Sequence, residues 1–140
     1  MSQNKPIILL DPYPRTMDLL FSKENLQYLK NNFKLITAPN KNKNNFYEKN
    51  LPKADYIFGQ PNLPSSLISK STKLKAIFNV ESNFMDNMDY DYCFRKGIHV
   101  LATSPVFAQP VAEMAMGLTL SIARSIPVSY THLTLPTMAI

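Results

Sequence analysis

The sequence predicts an α/β protein built on a parallel five-stranded sheet with helices on both faces. Two observations support this prediction. Short apolar runs alternate with helix-patterned segments along the 140 residues, and that order is typical of strand–helix–strand units. The runs PIILL and AIFNV are also unbroken, as expected of strands that are buried on both faces. Right-handed crossovers then give a doubly wound sheet, whose ligands bind beyond the carboxyl ends of the strands.

Five segments carry the strand pattern, and a turn or a change of period follows each one. They are residues 6–11, 33–38, 54–60, 74–81 and 97–103. Right-handed crossovers between them give a flavodoxin-like arrangement of the five strands.

Segments with helical spacing of apolar residues lie between the strands. They are residues 16–32, 42–50 (a weak helix or a loop), 64–71 and 88–97. Thr16 is a candidate N-cap of the first of these helices, and Gly97 is expected to end the last one.

A final helix is predicted over residues 109–124, with Pro110 near its first position. Glu113 would then lie near the positive end of the helix dipole, where a carboxylate is stabilised. Apolar side chains surround this helix almost completely, so it must be covered on all sides, whereas a five-stranded sheet covers one side. We therefore expect a second domain or a second subunit against it.

The composition excludes several classes of protein. The net charge of +5 comes largely from lysines scattered among asparagines, and this pattern is typical of a solvated surface rather than a nucleic-acid site. The single cysteine, Cys93, excludes an internal disulfide framework and a thiolate metal cluster, and favours a cytoplasmic protein. We expect no signal peptide and no membrane span. Only three glycines occur, so no glycine-rich phosphate loop is present.

Other functions of such a sheet fit the residues poorly. A phospho-acceptor receiver needs an aspartate after the third strand, where this chain has Gly59 and Gln60. A flavodoxin needs a hydroxyl-rich loop after the first strand, where this chain has DPYPRT. His99 has no partner spaced to work with it and is expected to be a packed or edge histidine. Cys93 lies on the apolar stripe of its helix and is expected to belong to the core.

The most informative motifs lie in order between residues 86 and 118. They are DNMD, RKGIHV, TSP and VAEMAMGL. In this order and spacing they resemble the N-terminal substrate (catalytic) domain of the D-isomer-specific 2-hydroxyacid dehydrogenases, closely over 74–125 and more loosely over 6–73. We also expect Asp86 or Asn87 to cap the helix that follows.

The resemblance implies a substrate site at the strand ends. The loop Ser82, Asn83 and Phe84 would present backbone N–H groups to the substrate carboxylate, with Asn83 beside the nicotinamide. Gly59 and Gln60 would form the opposite wall. Many members of the family have Gly-x-Gly in this loop, so the side chain of Phe84 would narrow the pocket here. No catalytic residue and no metal ligand is assigned in this chain.

The resemblance further implies that essential parts of the enzyme lie elsewhere. In this family the catalytic residues and the dinucleotide glycine motif belong to a Rossmann domain that follows the Val-Ala-Glu helix. We therefore expect a truncated fragment of an NAD-dependent oxidoreductase acting on a 2-hydroxy acid, inactive alone and dimeric in the parent enzyme. The alternative is a free-standing flavodoxin-like module that binds a small acid or a partner protein.

The end of the chain does not continue the helical pattern. VSYTHLTLPT at 128–137 has no period, and it resembles a sequencing adapter translated in one frame. We expect residues 126–140 to be an artefactual or disordered tail. The predicted organisation is thus a substrate domain over 1–108, an interdomain helix over 109–125 and this tail.

Overall fold

A computed structural model of the protein describes residues 5–81, 83–126 and 128–130. All five strands are parallel and form one sheet in the order β2-β1-β3-β4-β5, which confirms the doubly wound, flavodoxin-like prediction. The strands are β1 (Ile7–Asp11), β2 (Lys34–Thr37), β3 (Tyr56–Gly59), β4 (Ala76–Phe78) and β5 (His99–Leu101).

Six α-helices occur among the described residues, and each lies close to a segment with the helical pattern. They are α1 (Met17–Leu20), α2 (Lys23–Asn32), α3 (Lys43–Asn50), α4 (Ser65–Ile68), α5 (Tyr90–Arg95) and α6 (Ser104–Ala123). The weak segment at 42–50 is therefore a helix, and Gly97 follows α5 with φ of 72°, as expected of a glycine that ends a helix.

The predicted helix over 16–32 is wrong as a single element, because the structure divides it into α1 and α2. Ser22 lies between them in extended conformation, and its hydroxyl accepts a hydrogen bond from Asn25 N at 3.2 Å. This side-chain cap satisfies a free N–H of a new helix, so it favours a restart. Thr16 lies at the N-cap of α1, but its side chain makes no capping bond.

The predicted start of the last helix is also wrong, since α6 begins at Ser104 and holds Pro110 in its interior. Ser104 followed by Pro105 is itself a signal for the start of a helix. Glu113 consequently lies beyond the first turn and accepts a hydrogen bond from Gln109 at 2.8 Å. At 20 residues α6 is long and apolar enough to cross a membrane by length and composition, a weak test that soluble core helices also pass.

One face of the sheet carries the core. Leu9, Ile57 and Ile77 point to this face and are fully buried, and α3, α4 and α5 supply the side chains that cover them. Cys93 is part of this cluster, as expected, while His99 is exposed on the edge strand β5.

The opposite face is covered more thinly and is rich in aromatic rings. The ring of Phe21 lies 4.8 Å from that of Phe58, and the ring of Phe33 lies 6.2 Å from that of Tyr56. Tyr56 and Phe58 are only half-buried, and no residue of α1 or α2 is buried. A cleft of about 390 Å³ between Ile8, Leu29, Phe33, Tyr56, Phe58 and Phe78 stays open on this face.

The contacts divide the chain into two compact units, residues 1–103 and 104–140. Most of the expected tail, namely residue 127 and residues 131–140, lies outside the described residues. Ile126 and residues 128–130 are helical.

Candidate substrate site at the carboxyl edge of the sheet

The strand register brings four loops to one edge of the sheet. Asp11 at the end of β1 pairs with Gly59 at the end of β3, and Phe78 of β4 lies between Phe58 and Leu101. Because all strands are parallel, the segments that follow them emerge at the same edge. The candidate site residues Gly59, Gln60, Asn83 and Phe84 belong to these segments.

Gln60 connects the loop after β3 to the loop after β4. Its Nε2 donates to the carbonyl of Asn83 at 2.9 Å, and its Oε1 accepts from the backbone N–H of Glu81 at 3.2 Å. One side chain therefore holds both ends of the segment 81–83. The sequence-predicted residues Gln60 and Asn83 are in direct contact, and Ser82 between the two anchor points lies outside the described residues.

Gly59 has a structural role that is independent of any ligand. Its φ is 153°, and a Cβ at this position would lie 2.3 Å from the backbone oxygen of Asp11. That distance is far inside van der Waals contact, so only glycine allows β1 and β3 to end side by side.

A buried charged cluster, which the sequence pattern does not predict, lies at the end of β1. Lys43 Nζ lies 2.6 Å from Asp11 Oδ1, and the Tyr47 hydroxyl donates to Oδ2 at 3.0 Å. Burial, followed by the Asp11 charge, raises the pKa of Tyr47, so this hydroxyl stays protonated and donates. Lys43 and Tyr47 lie on α3, which follows β2, a neighbour of β1 in the sheet, and therefore begins at the same edge as Asp11.

The DNMD motif ties two loops together and starts a helix. Asn87 Nδ2 donates to the carbonyl of Pro61 at 2.7 Å, and the Asn87 carbonyl accepts from Leu63 N at 2.7 Å. Asp89, rather than Asp86 or Asn87, caps α5, because its Oδ1 accepts from Tyr92 N at 2.8 Å. The capping prediction was thus wrong in its residue: Asn87 is committed to the neighbouring loop, and α5 begins at Tyr90.

Phe84 lies on the outer side of the loop and is 56% exposed. Its ring meets that of Tyr90 edge to face, with the centroids 5.4 Å apart. The Tyr90 hydroxyl donates to the Met85 carbonyl at 2.6 Å, and burial raises the pKa of Tyr90. The side chain of Phe84 is thereby held against α5 at its end nearest the site.

Asn79 is a second residue that the sequence reasoning missed. It directly follows β4, is only 4% exposed, and neither its Nδ2 nor its Oδ1 has a hydrogen-bond partner among the described residues. A buried amide without partners costs about 1–3 kcal/mol. Its main-chain N–H, by contrast, donates to Leu101 O at 2.8 Å.

The described residues offer no metal site, since they contain no group of three or more His, Cys, Asp or Glu side chains that could hold an ion. The 140 residues also hold no glycine motif for a dinucleotide.

Comparison with known proteins identifies the family. A family model described as D-isomer specific 2-hydroxyacid dehydrogenase, catalytic domain, matches residues 15–140. The chain belongs to this family. The resemblance carried by DNMD, RKGIHV and VAEMAMGL is thereby confirmed.

Solved structures agree with this dehydrogenase assignment. A phosphoglycerate oxidoreductase from Rhizobium etli matches with 39% identity and a TM-score of 0.70, over 87% of this chain and 38% of its own. The PH0520 protein from Pyrococcus horikoshii OT3 shares the fold at 20% identity and a TM-score of 0.65, over 89% of this chain and 35% of its own. A search of curated proteins finds no match.

The dehydrogenase domain described here therefore spans little more than a third of the length of these relatives. The NAD⁺-bound 3-phosphoglycerate dehydrogenase of Entamoeba histolytica, whose fold matches over 84% of this chain, is covered over 39% of its own length. The family is one of oxidoreductases, the D-isomer specific 2-hydroxyacid dehydrogenases.

Proposed function

We propose that this chain is the substrate-binding part of an NAD-dependent D-2-hydroxyacid dehydrogenase. The backbone N–H groups of Ser82, Asn83 and Phe84 would receive the substrate carboxylate, with Gly59 and Gln60 as the opposite wall. The observation that carries the proposal is the double hydrogen bond of Gln60, which holds the segment 81–83 against the loop after β3.

The chemistry of this edge supports an anionic ligand. Converging backbone N–H groups bind a carboxylate well without a cationic side chain, because charge-assisted hydrogen bonds are stronger than neutral ones. The ring of Phe84 is exposed and packs against Tyr90, and we propose that it limits the size of the acid that the neighbouring backbone groups accept. The related Rhizobium etli protein is named a phosphoglycerate oxidoreductase, so a phosphorylated three-carbon hydroxy acid belongs among the candidates.

NAD would supply the hydride acceptor, and the nicotinamide would lie beside Asn83. The chain's own residues would orient the carboxylate and so place the reacting carbon of the substrate. The dinucleotide cradle and the groups that move the hydroxyl proton would come from a C-terminal Rossmann domain. Hydride transfer needs the cofactor and a base held against one substrate, so this chain alone is proposed to be inactive.

Two exposed apolar surfaces support the proposal that the parent enzyme contains another domain or subunit. The side chains of α6 are exposed, among them Met114 and Ile122 at 65% and 77%. In the sheet domain the aromatic cleft beside Tyr56 and Phe58 is open as well. Apolar patches of this kind mark surfaces that another domain or subunit covers. We propose that the parent enzyme is a homodimer, and that it lies in the cytoplasm.

Activity measurements test the proposal directly. The 140-residue chain, given NADH and a panel of 2-oxo acids that includes 3-phosphohydroxypyruvate, is expected to show no NADH oxidation above the blank. A chain in which residues after Ile126 are replaced by the sequence that continues at the genomic locus is expected to oxidise NADH with at least one acid. Sustained turnover by the 140 residues alone, or none by the extended chain, would contradict the proposal.

The alternative is a free-standing flavodoxin-like module that binds a small acid or a partner protein through α6. The exposure of α6 is the observation that favours it. The genomic locus separates the two: a reading frame that continues beyond residue 126 into a strand and G-x-G-x-x-G supports the dehydrogenase, whereas a stop codon near that point supports the module.

A further inference from the structure

Arg15 and Glu81 form a two-point ion pair between the loop after β1 and the loop after β4. Arg15 Nε lies 2.9 Å from Glu81 Oε1, and Nη2 lies 3.2 Å from Oε2, although the residues are 66 positions apart. A planar guanidinium meeting a carboxylate at two points fixes orientation as well as distance. The direction of the Glu81 side chain is therefore set by a neighbouring loop.

Glu81 is also where the candidate substrate loop begins. Its N–H donates to Gln60 Oε1 at 3.2 Å, and the same Gln60 side chain donates to Asn83 O at 2.9 Å. Glu81 is thus held twice, through its carboxylate by Arg15 and through its backbone N–H by Gln60, and the same Gln60 side chain also holds Asn83. Three loops at the carboxyl edge of the sheet are joined by side chains around the segment that precedes Phe84.

The ion pair between Arg15 and Glu81 contributes little to stability, but it can still control the geometry of the loop. Arg15 is 52% exposed and Glu81 28% exposed, and such pairs contribute about 0–1 kcal/mol to stability. A misplacement of about 1 Å in the groups that position a substrate can cost about 100-fold in rate. An ion pair at this place is therefore well suited to shaping a site.

We propose that Arg15 and Glu81 are positioning residues for the backbone amides of Asn83 and Phe84. Acting through Gln60, the pair holds the loop after β4 in the shape that receives a carboxylate, and neither side chain contacts the substrate. This inference rests on the proposed function, because it assigns a purpose to the same substrate loop.

The test uses the ¹⁵N-labelled 140-residue chain with oxalate as the probe. The variants are Arg15→Met, Glu81→Gln and the charge-reversed double variant R15E/E81R, with Lys70→Met as the matched control. Lys70 pairs with Glu48 at 2.8 Å, also at exposed positions, and lies outside the candidate site. Backbone chemical shifts give the oxalate affinity, and amide hydrogen exchange gives the order of Asn83 and Phe84.

Both single variants are expected to weaken oxalate binding about fivefold or more and to speed amide exchange at Asn83 and Phe84. Their melting temperatures should stay within about 4 °C of the parent chain, like that of Lys70→Met. The double variant should recover part of the affinity, because the pair is restored with its charges exchanged.

Three results would overturn the inference. Equal exchange rates at Asn83 and Phe84 in Glu81→Gln and Lys70→Met would show that the pair does not order the loop. Weaker binding in Arg15→Met together with tighter binding in Glu81→Gln would make Arg15 a direct ligand contact. No recovery in the double variant would show that pairing itself is irrelevant. If oxalate shifts neither amide in the parent chain, the proposed substrate site fails, and the exchange rates still decide whether the pair positions the loop.

Discussion

The central strands and helix α6 are both strongly apolar, but they differ in what covers them. Leu9, Ile57 and Ile77 are fully buried, whereas Met114 and Ile122 expose well over half of their surface. One face of these strands is covered by helices encoded in the same 100 or so residues. Since an element that is apolar on all sides is stable only when it is covered, the comparison indicates that the sheet domain encodes its own core, and it supports the proposal that α6 contacts further protein.

The largest expected effect contrasts two isoleucines, one from each region. Ile77→Ala should lower the free energy of unfolding by about 2–5 kcal/mol, because it removes buried methyl groups and leaves a cavity. Ile122→Ala should change it by no more than about 0.5 kcal/mol, because the side chain is already 77% exposed. Urea unfolding followed by circular dichroism measures both.

Equal losses of unfolding free energy in the two isoleucine variants would contradict the difference between the sheet domain and α6. They would mean that α6 is already covered in solution, for example by a second copy of the chain. Sedimentation at several protein concentrations would then identify that association.

Alanine substitutions at two glycines, one in each region, are expected to change stability in opposite directions. Gly59→Ala should destabilise the chain by about 1–3 kcal/mol, since its Cβ would lie 2.3 Å from Asp11 O. Gly117→Ala should stabilise α6 by about 0.5–1 kcal/mol, because a Cβ there meets nothing within 4 Å and alanine is the better helix former. Thermal unfolding of the two variants shows the signs, and a stable Gly59→Ala chain would disprove the close approach of β1 and β3.

The smallest expected effect is a loss of stability of the sheet domain at alkaline pH. Burial, and then the charge of Asp89, raises the pKa of Cys93. The folded chain therefore keeps the thiol proton at pH values where the unfolded chain loses it, so this contribution is complete below the ordinary thiol pKa of about 8.5 and declines above it. Urea midpoints between pH 7 and 9.5 should fall for the parent chain and fall less for Cys93→Ala.

The opposite trend, a midpoint that rises with pH above about 8.5, would contradict the assignment of Cys93 to the core. Buried Tyr47 acts with the same sign, because burial raises its pKa too. Its effect begins near the ordinary tyrosine pKa of about 10, which is why the measurement stops at 9.5.

Much of the fold was predictable because unbroken apolar runs and right-handed crossovers leave few topologies for a parallel sheet. All five strands were located, with errors confined to their ends. The helix boundaries were less predictable, because competing local signals are nearly equal in energy. Ser22 offered a cap inside a continuous pattern, and Ser104 offered a start before the more prominent Pro110.

The candidate site was predictable in its location but not in its connections. The sequence places Gly59, Gln60, Asn83 and Phe84 after strands, and parallel topology brings those ends together. It contains no signal that Gln60 bonds to Asn83, that Arg15 meets Glu81, or that Lys43 and Tyr47 reach Asp11. Such contacts depend on loop conformations, which the spacing of residues along the chain does not determine.

Asn87 illustrates what a family signature can record. Its side chain and its carbonyl both bind the backbone of residues 61–63, so Asn87 holds two neighbouring loops together. A change in the proposed substrate loop at 82–84 would leave this contact between loops intact. Asn87, which belongs to a motif that carries the family resemblance, therefore has a structural role that is separate from the proposed choice of substrate.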